Sequence, residues 1–243
     1  MGKKTNPLIA LLFLVPMGAE AACRDIAFED QPFTVCDVDL GQDLRLFHSA
    51  PDGTPYTAFQ PILDALEGQG KTLGFAMNAG MFHRDLAPVG LYIENGTERA
   101  PLITSDGPGN FGLLPNGVFC IGDAFAVIES RSFKANLPAC TYATQSGPML
   151  VIDGKLHPKF LATSDSLYIR NGVGVTEDGT AMFAISNAPV NFHQFARLFR
   201  DVLHTPNALY LDGSISRLLA PDLNRHDGGF PLGPIVGTVV PKP

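Results

Sequence analysis

The chain has no tryptophan, and only 17% of its 243 residues are charged. With 17 phenylalanines against five tyrosines, aromatic packing must rest on Phe. Low charge combined with 45% apolar residues excludes a solvated, disordered chain. There is no basic run beyond the first four residues, and the net charge is −7. That balance argues against nucleic acid and anionic membrane as partners. Neither an internal repeat nor a low-complexity linker occurs. G-x-S-x-G, S-x-x-K and H-E-x-x-H spacings are missing, as is C-x2-C. The histidines, at His48, His83, His157, His193, His204 and His226, are scattered. These absences remove most familiar hydrolase and metal-site signatures.

What is present begins with a leader. Lys3 and Lys4 precede an apolar stretch of 13 residues, 7–19, and Ala19-Glu20-Ala21 fits an A-x-A cleavage site. The stretch is shorter than the roughly 20 residues a membrane span requires. Glu20 stands where a lipoprotein signal needs an apolar residue. The expectation is a cleaved signal peptide at 1–21, then a single domain at 22–243, periplasmic or secreted, with no stable membrane anchor. Oligomeric state is not legible.

The four cysteines, Cys23, Cys36, Cys120 and Cys140, all follow the leader. An even count in an exported chain suggests two disulfides, and three pairings are open. Cys23–Cys36 and Cys120–Cys140 are favoured because each closes a local loop. The first would staple an N-terminal hairpin.

Turn dipeptides recur: Asp52-Gly53, Asn95-Gly96, Asn116-Gly117, Asp153-Gly154, Asp178-Gly179 and Asp212-Gly213. They alternate with short apolar runs at 89–93, 111–114, 118–121, 125–128, 149–152, 173–175 and 181–185. Asn-Gly and Asp-Gly supply the positive φ that tight hairpins need. Two segments instead show helical spacing. One carries Tyr56, Phe59, Ile62, Leu63 and Leu66, with Thr57 and Gln60 as a capping box and Gly68 as its stop. The other carries Phe192, Phe195, Phe199, Val202 and Leu203, with Asn191 and Gln194 as the box and Val190 stapling onto Phe195. A buried strand, 207–211, follows. The fold class read from this pattern is α+β: a mostly antiparallel, curved mixed sheet with two main helices and many hairpins.

Four polar clusters remain as candidate sites. The first is Met77-Asn78-Ala79-Gly80-Met81-Phe82-His83, where a buried run ends on an amide and small residues. Thr144-Gln145-Ser146-Gly147-Pro148 is the second, directly before an apolar run. The third is Arg170-Asn171-Gly172: an arginine in an apolar strand needs an anionic partner, either a protein carboxylate or a substrate phosphate. In the fourth, Leu209-Tyr210-Leu211-Asp212-Gly213-Ser214-Ile215-Ser216, a carboxylate stands at the end of a hydrophobic strand. The stretch at 107–112 matches G-x-G-x-x-G, but it contains Pro108 and opens no helix, so it reads as a glycine-rich loop. Asn95-Gly96-Thr97 is a glycosylation sequon that a type I′ turn explains equally well.

Taken together and in order, these clusters resemble the phosphodiester glycosidase family, also called domain of unknown function 2233. Asn78-Ala79-Gly80-Met81-Phe82 resembles its N-[AG]-G-x-F motif, the segment 170–174 its arginine before a VG-containing strand, and the segment 211–216 its L-D-G-G-x-S motif. Cluster two, with Gly109-Asn110-Phe111 and Pro115-Asn116-Gly117, is similar to the bacterial branch. The likeness spans about residues 40–239. It departs where the last motif is shortened after Gly213 and where His83, then Asp85, replaces the usual acidic residue.

The resemblance implies hydrolysis of a sugar-1-phosphodiester at the anomeric carbon, with a carbohydrate phosphodiester as substrate. A phosphate monoester is a weak base and a good leaving group, so one carboxylate and one phosphate clamp suffice. Asp212 would be general base or nucleophile, and Arg170 the clamp. Asn78 and the Gly80 amide would orient the sugar or phosphate. Ser146, Asn187 and Ser214 would add hydrogen bonds. No cofactor is called for, though a divalent cation stays open. Two other classes are kept: a non-catalytic binder of envelope glycans or phosphodiester polymers, and a metal-dependent phosphodiesterase using Asp85, Asp212 and a histidine.

Overall fold

Asn95 and Gly96 take φ of 51° and 71°, and Asp153 and Gly154 take 46° and 75°. Each pair closes a two-residue hairpin, as the positive-φ preference of Asn-Gly and Asp-Gly demands. In the computed structural model, residues 22–243 are described, and the leader expected at 1–21 lies outside them. Every strand pairing among the described residues is antiparallel, and the strands fall into three sheets.

The largest sheet has seven strands in the order Ala22–Phe28, Gln31–Val38, Ala181–Ser186, Asn171–Val175, Asn207–Asp212, Met149–Ile152, Lys155–Leu156. A second has five: Arg225–His226, Leu218–Ala220, Lys71–Asn78, Ile235–Pro241, Leu44–Phe47. The third also has five: Thr97–Ala100, Tyr92–Glu94, Tyr142–Ser146, Gly117–Ile121, Phe125–Glu129.

Side chains alternate across these strands and sort into separate cores. Phe183, Val173, Leu209 and Leu211 of the first sheet meet Phe75 and Met77 of the second and Phe119 and Tyr92 of the third in one shared interior. Each sheet then buries its outer face under a helix. Phe195, Ala196 and Phe199 cover Phe33, Leu150, Ala208 and Tyr210 on the first sheet. Phe59, Ile62 and Leu66 cover Leu73, Ala76 and Leu219 on the second. Phe133 covers Val118 and Ala143 on the third. Burying each such side chain contributes about 1.5–3 kcal/mol, so the phenylalanine-rich composition is explained by four adjoining cores.

The α+β class and the antiparallel character hold, as do both disulfides, Cys23–Cys36 and Cys120–Cys140. Both expected helices form, at Phe59–Glu67 and Phe192–Arg197. Asn191 caps the second, accepting from Gln194 N at 2.9 Å. Several details differ. Thr57 does not cap the first helix; the cap residue is Ala58, with no side-chain bond, and Thr57 has φ 58°. The second helix widens into a π turn at Leu198–Val202, which rotates Val202 off the apolar stripe and leaves it exposed. A third helix, Ser130–Asn136, is capped by Glu129 accepting from Ser132 N. Residues 111–114 form turns instead of a strand. Asn116-Gly117 is not a hairpin turn: Gly117 opens a strand, and a Cβ there would press on Ile128 O, Met149 and Leu209 at 3.2–3.3 Å. No helix of the described residues is long and apolar enough to cross a membrane.

Candidate active site

Strand Asn207–Asp212 alternates between the shared core and the helix-covered face. Leu209 and Leu211 point to the former. Ala208 and Tyr210 point to the latter. The ladder shifts register at this end, with Asn171 opposite Asp212 and Gly172 opposite Tyr210, and the Asp212 charge acts on the Tyr210 phenol. Asp212 is 8% exposed. Its Oδ1 accepts from the backbone N–H groups of Gly213 (2.5 Å), Ser214 (2.9 Å) and Ile215 (3.5 Å). Among the described residues no hydrogen bond reaches Oδ2. Burial pushes the Asp212 carboxyl above its ordinary range, opposed by those three N–H groups.

Arg170 precedes the neighbouring strand Asn171–Val175 and is wholly buried. Its Nε donates to Val190 O and its Nη2 to Ser166 O, both at 2.8 Å. The guanidinium carbon lies 3.8 Å over the Phe192 ring, with Tyr168 at 5.3 Å and Tyr210 at 5.4 Å. No carboxylate of the described residues forms an ion pair with it. Nη1 is enclosed and has no hydrogen-bond partner. An aromatic cage, two carbonyls, a long contact to Ser166 Oγ and the nearby Tyr210 hydroxyl are what hold this charge; burial pushes its pKa down and Tyr210 opposes that.

Nη1 and the Tyr210 hydroxyl converge on Gly213. A Cβ built there would stand 2.0 Å from Tyr210 Oη and 3.4 Å from Arg170 Nη1. Only glycine fits. Burial drives the Tyr210 phenol well up; the Arg170 charge opposes this and the Asp212 charge adds to it. The Asn110 side chain, from the glycine-rich loop, reaches the same hydroxyl. Asn110 and Ser214 are both exposed, so the group opens toward solvent there.

Beneath this lies a second layer. Asn78, fully buried, donates from Nδ2 to Asn171 Oδ1 at 3.2 Å, and its backbone O accepts from Asn171 Nδ2 at 2.7 Å. Asn78 Oδ1 accepts from Arg217 N at 3.0 Å. Asn171 is the strand partner of Asp212. Ser216 Oγ bonds to Ile169 O at 2.9 Å and to Asp212 O at 3.1 Å. Ser146, also fully buried, donates to Leu211 O at 2.9 Å. These contacts clamp the strand end that carries Asp212.

The sequence-predicted residues therefore divide. Arg170, Asp212 and Ser214 belong to one group, with Asn78 and Ser146 behind it. Gly80 is buried against strand Tyr142–Ser146, where a Cβ would meet Thr144 Oγ1 at 3.0 Å. Asn187 lies in a different cluster, held by Arg225 Nη1 (2.7 Å) and Thr34 Oγ1 (2.9 Å). Cluster two centres on Gln145, whose amide bonds Leu91 N, Ile103 N and Ser130 Oγ at 2.8–3.0 Å. The sequence motifs include Tyr210 and Asn110 but assign neither a role, and they leave out Arg217, whose backbone N–H joins the layer at Asn78. For Tyr210 the available signal was its two-residue spacing from Asp212.

A cavity of about 510 Å³ lies elsewhere, between Arg45, His48, Tyr56, Glu94, Arg99 and Tyr142, and includes none of the predicted site residues. Among the described residues no three His, Cys, Asp or Glu side chains are grouped to hold a metal ion. Asp85 is exposed on a loop, where its Oδ1 accepts from Ala87 N.

Against known proteins, a profile of the phosphodiester glycosidase family matches residues 71–237. The uncharacterized protein YigE of Escherichia coli strain K12 is 35% identical over 211 residues, covering 85% of this chain and 82% of that one. Among solved structures, the catalytic domain of zebrafish N-acetylglucosamine-1-phosphodiester alpha-N-acetylglucosaminidase, auto-inhibited by its pro-peptide, superposes with a TM-score of 0.60 at 14% identity, covering 89% of this chain and 81% of that domain. A hypothetical protein from Synechocystis gives a TM-score of 0.55 at 15% identity, over 90% of this chain and 61% of that one. Those two likenesses speak to fold. The profile, spanning the motifs at Asn78, Arg170 and Asp212, and the identity to YigE together settle the kinship: this chain belongs to the phosphodiester glycosidase family.

Proposed function

We propose that the chain is an exported hydrolase that cleaves a sugar-1-phosphodiester between the anomeric carbon and the phosphate oxygen. The observation that carries this reading is Arg170: a fully buried guanidinium with one enclosed nitrogen unpartnered, no acid neutralising it, and a carboxylate on the adjoining strand end.

Asp212 Oδ2 is the reactive oxygen, since Oδ1 is pinned by backbone N–H groups. It takes the proton of an attacking water in an inverting reaction, or attacks the anomeric carbon itself in a retaining one. In both, the anomeric C–O bond breaks and the phosphate monoester leaves with the bonding electrons; in the retaining route water then hydrolyses the glycosyl ester, freeing the sugar and the Asp212 carboxylate. Arg170 Nη1 meets the charge that gathers on the departing phosphate, in a site dry enough to make that contact strong. Tyr210 stays protonated and donates to a phosphate oxygen. Exposed Ser214 and Asn110 flank the opening and contact the sugar or the phosphate. Asn78, Ser146 and the Gly80 turn act as positioning residues. Carbohydrate phosphodiester is accordingly the partner class. Export rests on the leader-like residues 1–21 and on the two disulfides.

The test is turnover of an N-acylated sugar-1-phosphodiester, followed by release of free sugar, with wild type, Arg170→Met and Asp212→Asn. Loss of release in both variants supports the reading. Tight binding of glycan phosphodiesters without any release by wild type would instead favour a binding module.

A further inference from the structure

Arg217 has no role in the chemistry above, yet it is the second arginine that the fold buries without an acid. It stands five residues beyond Asp212 and is 6% exposed. Its backbone N–H serves Asn78 Oδ1. Its guanidinium donates no hydrogen bond and joins no ion pair among the described residues, and Nη2 is wholly enclosed without a partner. Asp227 acts on it at longer range but is already engaged. Both Asp227 oxygens accept from Arg225, at 2.7–3.1 Å, and Oδ2 also accepts from Leu218 N at 3.0 Å. Of the five N–H donors a guanidinium brings, the two on Nη2 are enclosed and unanswered, which is costly.

The cover over this charge is thin. Gly229 lies against it with φ +134°, a conformation reserved for glycine, and a Cβ there would stand 3.1 Å from Nη2, 3.4 Å from Nε and 3.5 Å from Cζ. Gly228, Gly229 and Phe230 are exposed, Phe230 at 75%. An exposed glycine backbone thus packs directly on the guanidinium, with no side chain of its own between them. The two arginines also come from segments in direct contact: Ser216 Oγ donates to Ile169 O at 2.9 Å, and Arg217 and Arg170 are the next residues along each.

We infer that Arg217 is a second oxyanion-binding side chain, and that the substrate is a sugar-1-phosphodiester carrying a further carboxylate or phosphate beyond the scissile group. This deepens the functional reading above and rests on it. One phosphodiester needs one clamp, and Arg170 supplies it. A second unanswered guanidinium, planar and forked, matches a second carboxylate or phosphate. The Gly228–Gly229 segment beside it is exposed and adds no side chain, and a Cβ at Gly228 would meet nothing within 4 Å.

The experiment uses the mature chain and three sugar-1-phosphodiesters sharing one alkyl aglycone, ending in a methyl, a carboxylate or a phosphate. Wild type is expected to favour one or both anionic substrates by about tenfold or more in kcat/KM, chiefly through KM. Arg217→Gln is expected to lose that preference, and Arg217→Lys to keep part of it. The carboxylate and phosphate arms tell which anion the site takes. Separately, inorganic phosphate, compared with chloride at equal ionic strength, is expected to raise the melting temperature of wild type more than that of either variant. If none of the substrates is hydrolysed, the functional reading fails, and the phosphate response alone then decides the anion site. Equal kcat/KM on all three substrates in wild type, with the same phosphate response in wild type and both variants, overturns the proposal.

Discussion

The Tyr210 hydroxyl lies 2.0 Å from where a Gly213 Cβ would stand, so the residue after Asp212 is glycine because a phenol occupies the space of its missing side chain. Gly213→Ala is therefore expected to overpack the site and cost about 1–3 kcal/mol. Removing the hydroxyl relieves the collision. In a double-mutant cycle by urea denaturation, Tyr210→Phe should restore much of the stability lost by Gly213→Ala, with a coupling of about 1 kcal/mol or more. Additive effects would mean that the contact is not what selects glycine.

Asn78 ties three segments together through Asn171 and the Arg217 N–H. Asn78→Ala leaves buried donors and acceptors unmet, each worth about 1–3 kcal/mol. The expected outcome is a clear drop in denaturation midpoint along with reduced turnover. Lost turnover with unchanged stability would instead make Asn78 a substrate contact.

Burial raises the Asp212 carboxyl. The folded chain then keeps this proton at pH values where the unfolded chain has released it. The stabilising contribution is full below the ordinary carboxylate value of about 4 and declines as pH rises through the raised value. Asp212→Asn should consequently be more stable than wild type at pH 7, with the difference shrinking on acidification to about pH 4. The same shift places the acidic limb of kcat/KM above about pH 4, because Oδ2 must be unprotonated to react. Denaturation and rate profiles across pH check both.

The disulfides close chain separations of 13 and 20 residues. Replacing either pair by serine should cost about 3 kcal/mol, read from the denaturation midpoint. The Cys120–Cys140 pair ties strand Gly117–Ile121 to the loop that enters its neighbour Tyr142–Ser146. The Cys23–Cys36 pair pins the outermost strand of the seven-stranded sheet, so its loss should speed proteolysis at the N-terminal hairpin first.

Much of this was legible in the sequence because the signals were local. Asn95-Gly96 and Asp153-Gly154 encode their hairpins in two residues, and Asn191 with Gln194 encodes a helix start. Arg170 stood out because a charge in an apolar strand demands an explanation. The helix at Ser130–Asn136 escaped notice because seven residues hold too little periodicity. Asn187 and Asp212 both follow apolar strands, but sheet order, which local spacing does not encode, sends Asn187 toward Arg225. Tyr210 stood in the fourth cluster without a role of its own, and Arg217 lay one residue past that cluster's end. Their part in the site depends on Gly213 and Gly229 packing against them, and those contacts exist only in three dimensions.

The most direct test of the central claim is kcat/KM of Arg170→Met on a sugar-1-phosphodiester, measured beside its thermal unfolding. Methionine keeps an unbranched chain against Phe192 while removing the charge. The account predicts a loss of about 10²–10³-fold in a protein that still unfolds cooperatively. Turnover within a few-fold of wild type would contradict it.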